Sequence, residues 1–219
     1  MKTIIYFWRI KYGFIPLAFL FMAINKFILI QNEGIKFIKL LGTGRGETFT
    51  PKDASLIRWG LLVTISDDAI EQLDNSRVIS WWRRIAITEY RAVLEPISSH
   101  GKWSRKQPFV IEKSNWQGKV AAITRARIVW RKNFKFWAAV PPVTASLHAS
   151  PGLIAALGIG EAPFGLQGTF SLWENGAKLR QFAYQGDAHR AAIHSTSREK
   201  WYSEELFARF AVLNERGQL

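Results

Sequence analysis

Hydrophobic and polar positions along the first half of the chain predict four strands and two helices. Period-two runs rich in β-branched and aromatic residues favour strands, and apolar residues spaced three and four apart favour helices. On these rules the strands are Thr3–Ile10, Ile35–Leu41, Ile57–Ser66 and Tyr90–Pro96, with helices at Phe14–Leu29 and through Ala69, Leu73 and Trp81–Trp82. The predicted order is βαββαβ.

The second half predicts the same six elements. Strands are expected at Lys119–Trp130, Leu153–Leu157, Gln167–Trp173 and Leu206–Leu213, with helices through Phe134, Trp137 and Ala145 and over Ala177–Tyr202. Pro141–Pro142 falls inside the first of these helices. Because proline lacks a backbone N–H, the pair should bend or interrupt the helix.

The two halves also resemble each other in sequence. LLGTGRGETFTP followed by RWGLLVTISDDAIEQL aligns with ALGIGEAPFGLQ followed by GTFSLWENGAKLRQF. Both read as strand, glycine turn, strand, acidic cap and helix. Residues 1–97 and 119–219 are therefore expected to be two repeats. The polar, turn-rich segment 98–118 is the expected linker, and its aromatic residues Trp103, Phe109 and Trp116 indicate that it packs.

A repeat of this kind is ferredoxin-like, with a four-stranded antiparallel sheet, helices on one face and a second face left to bury. Pairing the two sheets within one chain gives the expected α+β fold. It is a closed barrel like the dimeric α/β barrels, formed here by two tandem βαββαβ repeats of a single chain. Two independent ferredoxin-like domains are the alternative.

The amino-acid composition excludes some kinds of functional site and favours others. The 219 residues include no cysteine, which excludes disulfides, thiolate metal sites, iron–sulfur clusters and cysteine nucleophiles. Thirty basic residues against seventeen acidic ones give a net charge of +13, which favours an anionic partner or surface. Fifteen Phe, ten Trp and five Tyr are enough rings to line a large apolar cavity or, as readily, to fill a solid core.

An apolar run near the N-terminus raises the question of membrane contact. Asn25 and Lys26 interrupt Gly13–Ile30, so a buried helix is expected rather than a membrane span. No cleavage-site pattern of a secretory signal follows, and the protein is expected to be cytoplasmic. Several basic residues and tryptophans lie close together in the sequence, namely Trp81–Arg84, Arg9, Lys11 and Lys26. They predict either a peripheral contact with anionic lipid at the inner face of the membrane or a solvated basic face.

Several segments resemble one known family. KLLGTGRGETFTP, SHGKW, TRARI, GIGEAPFGLQGTFSLW and above all AHRAAIHSTSREKWYSEELFARF are similar to the spheroidene monooxygenases, over about Phe37–Arg209. The resemblance implies an oxygenase that introduces hydroxyl and then keto oxygen at the terminal carbon of an acyclic carotenoid. It also implies haem as the cofactor and a fold related to the dimeric α/β barrels.

Histidine is the natural ligand for a haem in this chain, because thiolate ligation is excluded without cysteine. His189 is the first choice, since Asp187 can cap a helix whose first turn contains His189. There the helix dipole favours the neutral, ligating imidazole. A histidine bonded only to nearby backbone is the alternative. His194 lies five residues after His189 and therefore points to another side of that helix. His148 lies on an apolar stripe, which is typical of a histidine in the core, and His100 lies in a turn-rich segment.

The remaining pocket residues are hypotheses. The glycine turns are expected to shape the pocket through Gly42, Thr43, Gly44, Gly158 and Glu161. Arg125 or Arg180 is expected to pair with the haem propionates. The expected reaction also requires O2 and electrons from a separate reductase or ferredoxin. Self-association of the chain into a homo-oligomer is compatible with these expectations. No catalytic side chain is assigned.

Other functions stay open at this point. A non-catalytic carrier of haem or another apolar ligand, or a cofactor-free monooxygenase of the small-barrel type, fits the same pattern. A mononuclear non-haem iron has less support, since no spacing of two histidines and one carboxylate is recognisable. Nucleic-acid binding is not expected, because RWGLLVTIS and QGTFSLW lack the Lys/Arg-Gly-Phe/Tyr pattern of RNA-stacking strands.

Overall fold

The regular elements follow the order expected from the sequence. The computed structural model describes residues 1–111, 115–128, 131, 133–161, 168–185 and 202–219. The strands are β1 (Lys2–Ile10), β2 (Ile35–Gly44), β3 (Ala54–Ile65), β4 (Ala86–Gly101), β5 (Val120–Ile128), β6 (Leu153–Gly160), β7 (Gly168–Trp173) and β8 (Tyr202–Gly217). The helices are α1 (Ile15–Leu29), α2 (Ile70–Asp74), α3 (Arg77–Ile85), α4 (Asn133–His148) and α5 (Gly176–Gln185).

The strands form one closed antiparallel barrel that joins both repeats. Its order is β1-β3-β2-β6-β7-β5-β8-β4, so the repeats contribute β4-β1-β3-β2 and β8-β5-β7-β6. The repeats meet at two seams, where β4 pairs with β8 over Tyr90–Gly101 and β2 pairs with β6 at Gly42 and Thr43. The α+β single-chain barrel is confirmed, and the alternative of two independent domains is wrong.

Alternate residues of each strand point into the barrel, which apolar side chains from both repeats fill. On β1, Ile5 and Phe7 belong to the interior cluster, whereas Tyr6 and Trp8 pack beneath the helices outside. The ring of Phe7 lies edge-on against Phe170 of the other repeat, with centroids 5.1 Å apart. Contacts between aromatic rings of the two repeats therefore form part of the barrel interior.

A stack of aromatic rings joins α3 to the outer face of the barrel. Tyr6 stacks on Trp8 with ring centroids 5.3 Å apart, and Trp8 stacks on Trp82 of α3 at 5.0 Å. Trp82 is 0% exposed, and the Arg83 guanidinium donates to Glu89 at 3.0 Å. In the Trp–Arg run of α3, Trp82 is therefore used for packing and Arg83 for an ion pair, whereas Arg84 is exposed.

Helix α1 lies on the outside of the barrel and buries only one face. Its buried residues are Ala18, Phe21, Asn25 and Leu29. By length and composition alone, Tyr12–Leu29 could cross a membrane, and 22% of it is buried in the structure. The prediction of a buried helix is therefore wrong in degree, because the helix forms but leaves most of its surface open.

Tertiary pairing extends several elements beyond their predicted bounds. β4 continues to Gly101 because its last residues pair with β8, so part of the expected linker is strand. β8 begins at Tyr202, where the sequence predicts the end of a helix, because it pairs there with β5. α4 continues through Pro141–Pro142, and Val140 and Leu147 on either side of them pack in one apolar cluster. Packing therefore outweighs the missing N–H groups.

The segment after β4 closes one end of the barrel. Trp103 packs edge-on against Phe37 with centroids 5.7 Å apart, and Phe109 packs against Phe210 at 4.8 Å. Both Trp103 and Phe109 are buried in the interior cluster. The packing expected from these two aromatic residues is confirmed.

Replacing Trp82 by Ala should lower the free energy of unfolding by about 3–5 kcal/mol, because a cavity would open between α3 and the barrel. The adjacent Trp81 is only partly buried, so Trp81→Ala is the matched control and should cost less. Denaturant unfolding followed by circular dichroism measures both variants. Equal losses would show that the stack of Trp82 on Trp8 does not fasten α3.

Candidate functional site

Charged side chains gather inside the end of the barrel that Trp103 closes. On β5, Arg125 follows the interior residues Ala121 and Ile123 at every second position, and therefore points inward. The same alternation aims Lys39 of β2 inward. The members of this cluster, called the ionic cluster below, are Lys39, Arg125, Glu161 and Glu204.

Arg125 is the centre of the ionic cluster. Its side chain is 3% exposed, and its Nη2 lies 2.9 Å from Oε1 of Glu161. Its Nη1 donates to Glu204, and Lys39 forms a further ion pair with Glu161. Two cations and two carboxylates thus compensate one another, which a charge removed from water requires.

A tight turn covers the ionic cluster and is bonded to it. The indole N–H of Trp103 donates to Glu161 at 2.7 Å. The backbone N–H groups of Ser104 and Arg105 donate to the two carboxylate oxygens of Glu204 at 3.0 and 2.6 Å. Ser104 and Arg105 have φ values of 53° and 64°, a region that non-glycine residues seldom adopt. The ionic cluster therefore holds a strained turn in place over the barrel end.

Both carboxylates of the ionic cluster are held in the ionised form. Burial alone would raise the pKa of Glu161, but hydrogen bonds from Lys39 and Trp103 and the charge of Arg125 bring it below the ordinary value. At Glu204, burial also acts to raise the pKa. Hydrogen bonds from the backbone N–H of Arg105 and from the Arg125 guanidinium outweigh burial and lower the pKa below its ordinary value. At neutral pH these groups accept hydrogen bonds and position the turn, and neither has a proton to give.

Arg125 and Glu161 are the two expected site residues that come together in the ionic cluster, and the other expected residues that the structure describes do not join them. Arg125 and Glu161 form an ion pair. Gly42 and Thr43 pair with β6 in the short seam, and Gly158 lies on β6 opposite Thr169.

Arg180 is separated from the other expected pocket residues by the barrel wall. It is exposed on α5, which packs outside β7, whereas Arg125 points inside. Gly44 ends β2 opposite Ala54, on the far side of the short seam from Glu161. These residues do not form one pocket in the described part of the chain.

The described residues alone do not fit a haem. His189 and His194 lie outside them. His100 is exposed on β4, and His148 is exposed at the end of α4, where it stacks on Phe49 at 5.6 Å, so the prediction of a core histidine at 148 is wrong. Arg125 is occupied by two carboxylates, and the interior around it is packed.

One further cavity lined by described residues is too small for a cofactor. A cavity of about 10 Å³ at the opposite end of the barrel, near Arg58 and Leu219, has room for one water. No group of three or more metal-ligating side chains occurs in the residues that the structure describes. No reaction step is therefore assigned to a haem here.

Sequence reasoning missed Lys39, Trp103 and Glu204 as parts of one site. A usable signal existed, since Lys39 alternates with the interior residues Phe37 and Leu41. Glu204 likewise precedes Leu206, Ala208 and Phe210 at steps of two. A charged residue on the apolar face of a strand indicates a buried ion pair, but the identity of its partner depends on strand order.

The chain is similar to three curated spheroidene monooxygenases. It is 34% identical to that of Rhodobacter capsulatus, over 90% of this chain and 83% of that protein. It is 34% identical to that of Rubrivivax gelatinosus, over 86% and 73%. With the Cereibacter sphaeroides protein it shares 33% identity over 90% of this chain, but spans only 62% of that protein's length. No family model matches.

Solved structures with the same fold include aldoxime dehydratases. One is 11% identical with a TM-score of 0.56, covering 96% of this chain and 82% of that one. Another, the OxdRE enzyme in complex with butyraldoxime, also has a TM-score of 0.56 at 9% identity, over 97% and 79%. Likeness at this identity concerns the fold alone.

Glu161→Gln should make stability less dependent on pH. A carboxyl whose pKa is lowered by folding stabilises the protein fully above its ordinary pKa of 4.5, and this contribution is lost as pH falls through the lowered value. At pH 7 the variant should lose about 1.5–3 kcal/mol, the usual contribution of hydrogen bonds to a charged group. Towards pH 3 the difference from the parent protein should shrink.

Urea unfolding at steps between pH 7 and pH 3 measures this difference. The control is Glu174→Gln, which changes an exposed glutamate and should leave the pH profile as it is. A constant gap between Glu161→Gln and the parent protein across the range would mean that Glu161 keeps an ordinary pKa in the folded state.

Proposed function

The chain belongs to the spheroidene monooxygenase family, and from this premise we propose that it is a monooxygenase of an acyclic carotenoid. The observation that carries the proposal is 34% identity to the Rhodobacter capsulatus protein over 83% of that protein's length. The proposed reaction introduces one oxygen atom of O2 at the terminal end of the polyene as a hydroxyl group, while the other oxygen atom leaves as water with two electrons and two protons from an external donor. A second such oxygenation of the same carbon gives a geminal diol, which loses water to form the ketone.

The described residues support an apolar substrate rather than a polar one. The barrel core consists of aliphatic and aromatic side chains, and its ionised groups are paired with one another. An unpaired polar substrate group placed in this core would lose its hydration without a partner. A polyene has no such group until the first oxygen has been added.

The end of the barrel with the ionic cluster is the proposed location of the reaction. Glu161 leads into residues 162–167, and residues 186–201 lead into β8 at Tyr202, just before Glu204. Both segments lie outside the described residues, and the second contains His189. In this proposal Arg125 and Lys39 keep the carboxylates charged and Trp103 keeps water from the end of the barrel.

A haem with His189 as its axial ligand is part of the proposal. Two of the four histidines of the chain, His100 and His148, are exposed outside the barrel, which leaves the histidines of the segment 186–201. When bound, the haem would activate O2 with electrons from a separate reductase or ferredoxin. The described residues do not form a haem pocket. His189 is therefore the one haem contact that is proposed.

The substrate class is tested in a bacterial host that accumulates an acyclic carotenoid. Expression of the chain should give products heavier than the parent carotenoid by one oxygen, with a ketone form on longer expression, as read by liquid chromatography and mass spectrometry. Expression of the empty vector is the control. An unchanged carotenoid profile with soluble, folded protein present would refute the proposed activity.

The cofactor is tested on the purified chain after expression with a haem precursor. A Soret band is expected, and His189→Ala should abolish or shift it while His100→Ala leaves it in place. Carotenoid conversion without a Soret band would point instead to a cofactor-free monooxygenase. A Soret band without conversion would favour a haem carrier.

A further inference from the structure

Helix α1 has an exposed apolar face opposite its buried one. Leu20 is 51% exposed, Phe27 is 70% exposed, and Ile30 just beyond the helix is 63% exposed. Their spacing of seven and then three residues places them along one side of the helix. A helix on the surface of a soluble domain normally turns polar residues to water. α1 instead has apolar residues on both sides, and its one charged residue is Lys26.

The charged residues of the chain up to the end of α1 have one sign. No acidic residue precedes Glu33 in the chain, whereas Lys2, Arg9, Lys11 and Lys26 do precede it. Lys11 and Lys26 are exposed near the two ends of α1. An apolar strip with lysines at both ends matches the interface of an anionic bilayer, whose phosphates attract the ammonium groups and whose acyl chains receive the apolar side chains.

We propose that α1 is a membrane-contact element that lies in the plane of an anionic lipid surface. In this arrangement Leu20, Phe27 and Ile30 enter the boundary between headgroups and acyl chains, and Lys11 and Lys26 contact lipid phosphates. The barrel remains on the water side, attached through the buried face of the helix.

The packing of α1 favours this arrangement over a membrane span. Phe21 stacks on Trp81 with centroids 5.6 Å apart and packs edge-on against Trp82 at 5.3 Å. Phe19 packs edge-on against Trp59 at 5.3 Å. A spanning helix would have to give up these contacts. A second copy of the chain is disfavoured as the occupant, because a net charge of +13 on each copy is repulsive.

The inference deepens the proposed function, on which its biological meaning rests, since a carotenoid is dissolved in lipid. A chain docked on the bilayer would meet its substrate without drawing it through water. The vesicle experiment below contains no carotenoid. Failure of lipid binding and failure of carotenoid oxidation are therefore separate results.

The first measurement uses a single fluorescent probe. Because the chain has no cysteine, Phe27→Cys can carry one environment-sensitive nitrobenzoxadiazole label, and Ile154→Cys, 44% exposed on β6 of the other repeat, is the control. Vesicles of phosphatidylcholine with phosphatidylglycerol should blue-shift and brighten the label at position 27 and leave the label at position 154 unchanged. Lipids brominated on their acyl chains should quench only the label at position 27.

The second measurement is the partition of unlabelled protein onto the same vesicles by co-sedimentation. Phe27→Glu should weaken binding about tenfold or more, since burial of one such side chain contributes about 1.5–3 kcal/mol. Ile154→Glu should bind like the parent protein, and circular dichroism confirms that both variants fold. Added salt should weaken binding of the parent protein, because part of the attraction is between charges.

Three results would overturn the inference. One is equal binding to vesicles with and without phosphatidylglycerol, which would remove the role of charge. Another is a label at position 27 that does not respond to vesicles at all. The third is a dimer by light scattering that Phe27→Glu separates into monomers, which would assign the face to a second copy of the chain.

Discussion

Strand pairing between the two repeats is the constraint on which the rest of the structure depends. Each repeat alone would have two open sheet edges and one uncovered apolar face. The long β4–β8 seam and the short β2–β6 seam remove the edges and enclose both faces in one core. Contacts such as that of Phe7 with Phe170 then join residues far apart in sequence. The helices remain outside, and their outward faces are free to meet other partners.

Closure of the barrel also creates the ionic cluster. Lys39 comes from the first repeat, whereas Arg125, Glu161 and Glu204 come from the second. Their charges are tolerable inside an apolar barrel only because strand order brings cations and carboxylates into contact at one end. The same carboxylates bond the turn at Trp103, so the site and the closure of that end depend on each other.

The chain combines an apolar packed core with a second apolar surface on α1. An enzyme that acts on a lipid-dissolved substrate, as proposed for this chain, has to fold stably and also reach the bilayer. The core meets the first requirement, and the exposed side of α1, with lysines at its ends, is suited to the second. The tryptophans of α3, which by composition look suited to a lipid surface, serve the first requirement instead, since Trp82 is fully buried.

The sequence by itself determined the repeat and the βαββαβ order, because period-two and helical spacing are local properties that survive in the fold. It favoured a single-chain barrel over two independent domains, and the two seams between the repeats decided between them. The sequence also indicated the family, through motifs that resemble those of the spheroidene monooxygenases. Only the tertiary structure decided that Arg125 meets Glu161 and Glu204, that Arg180 lies outside the wall, and which side of α1 is buried. Such outcomes depend on which strands become neighbours, and spacing along one strand carries no information about its partner.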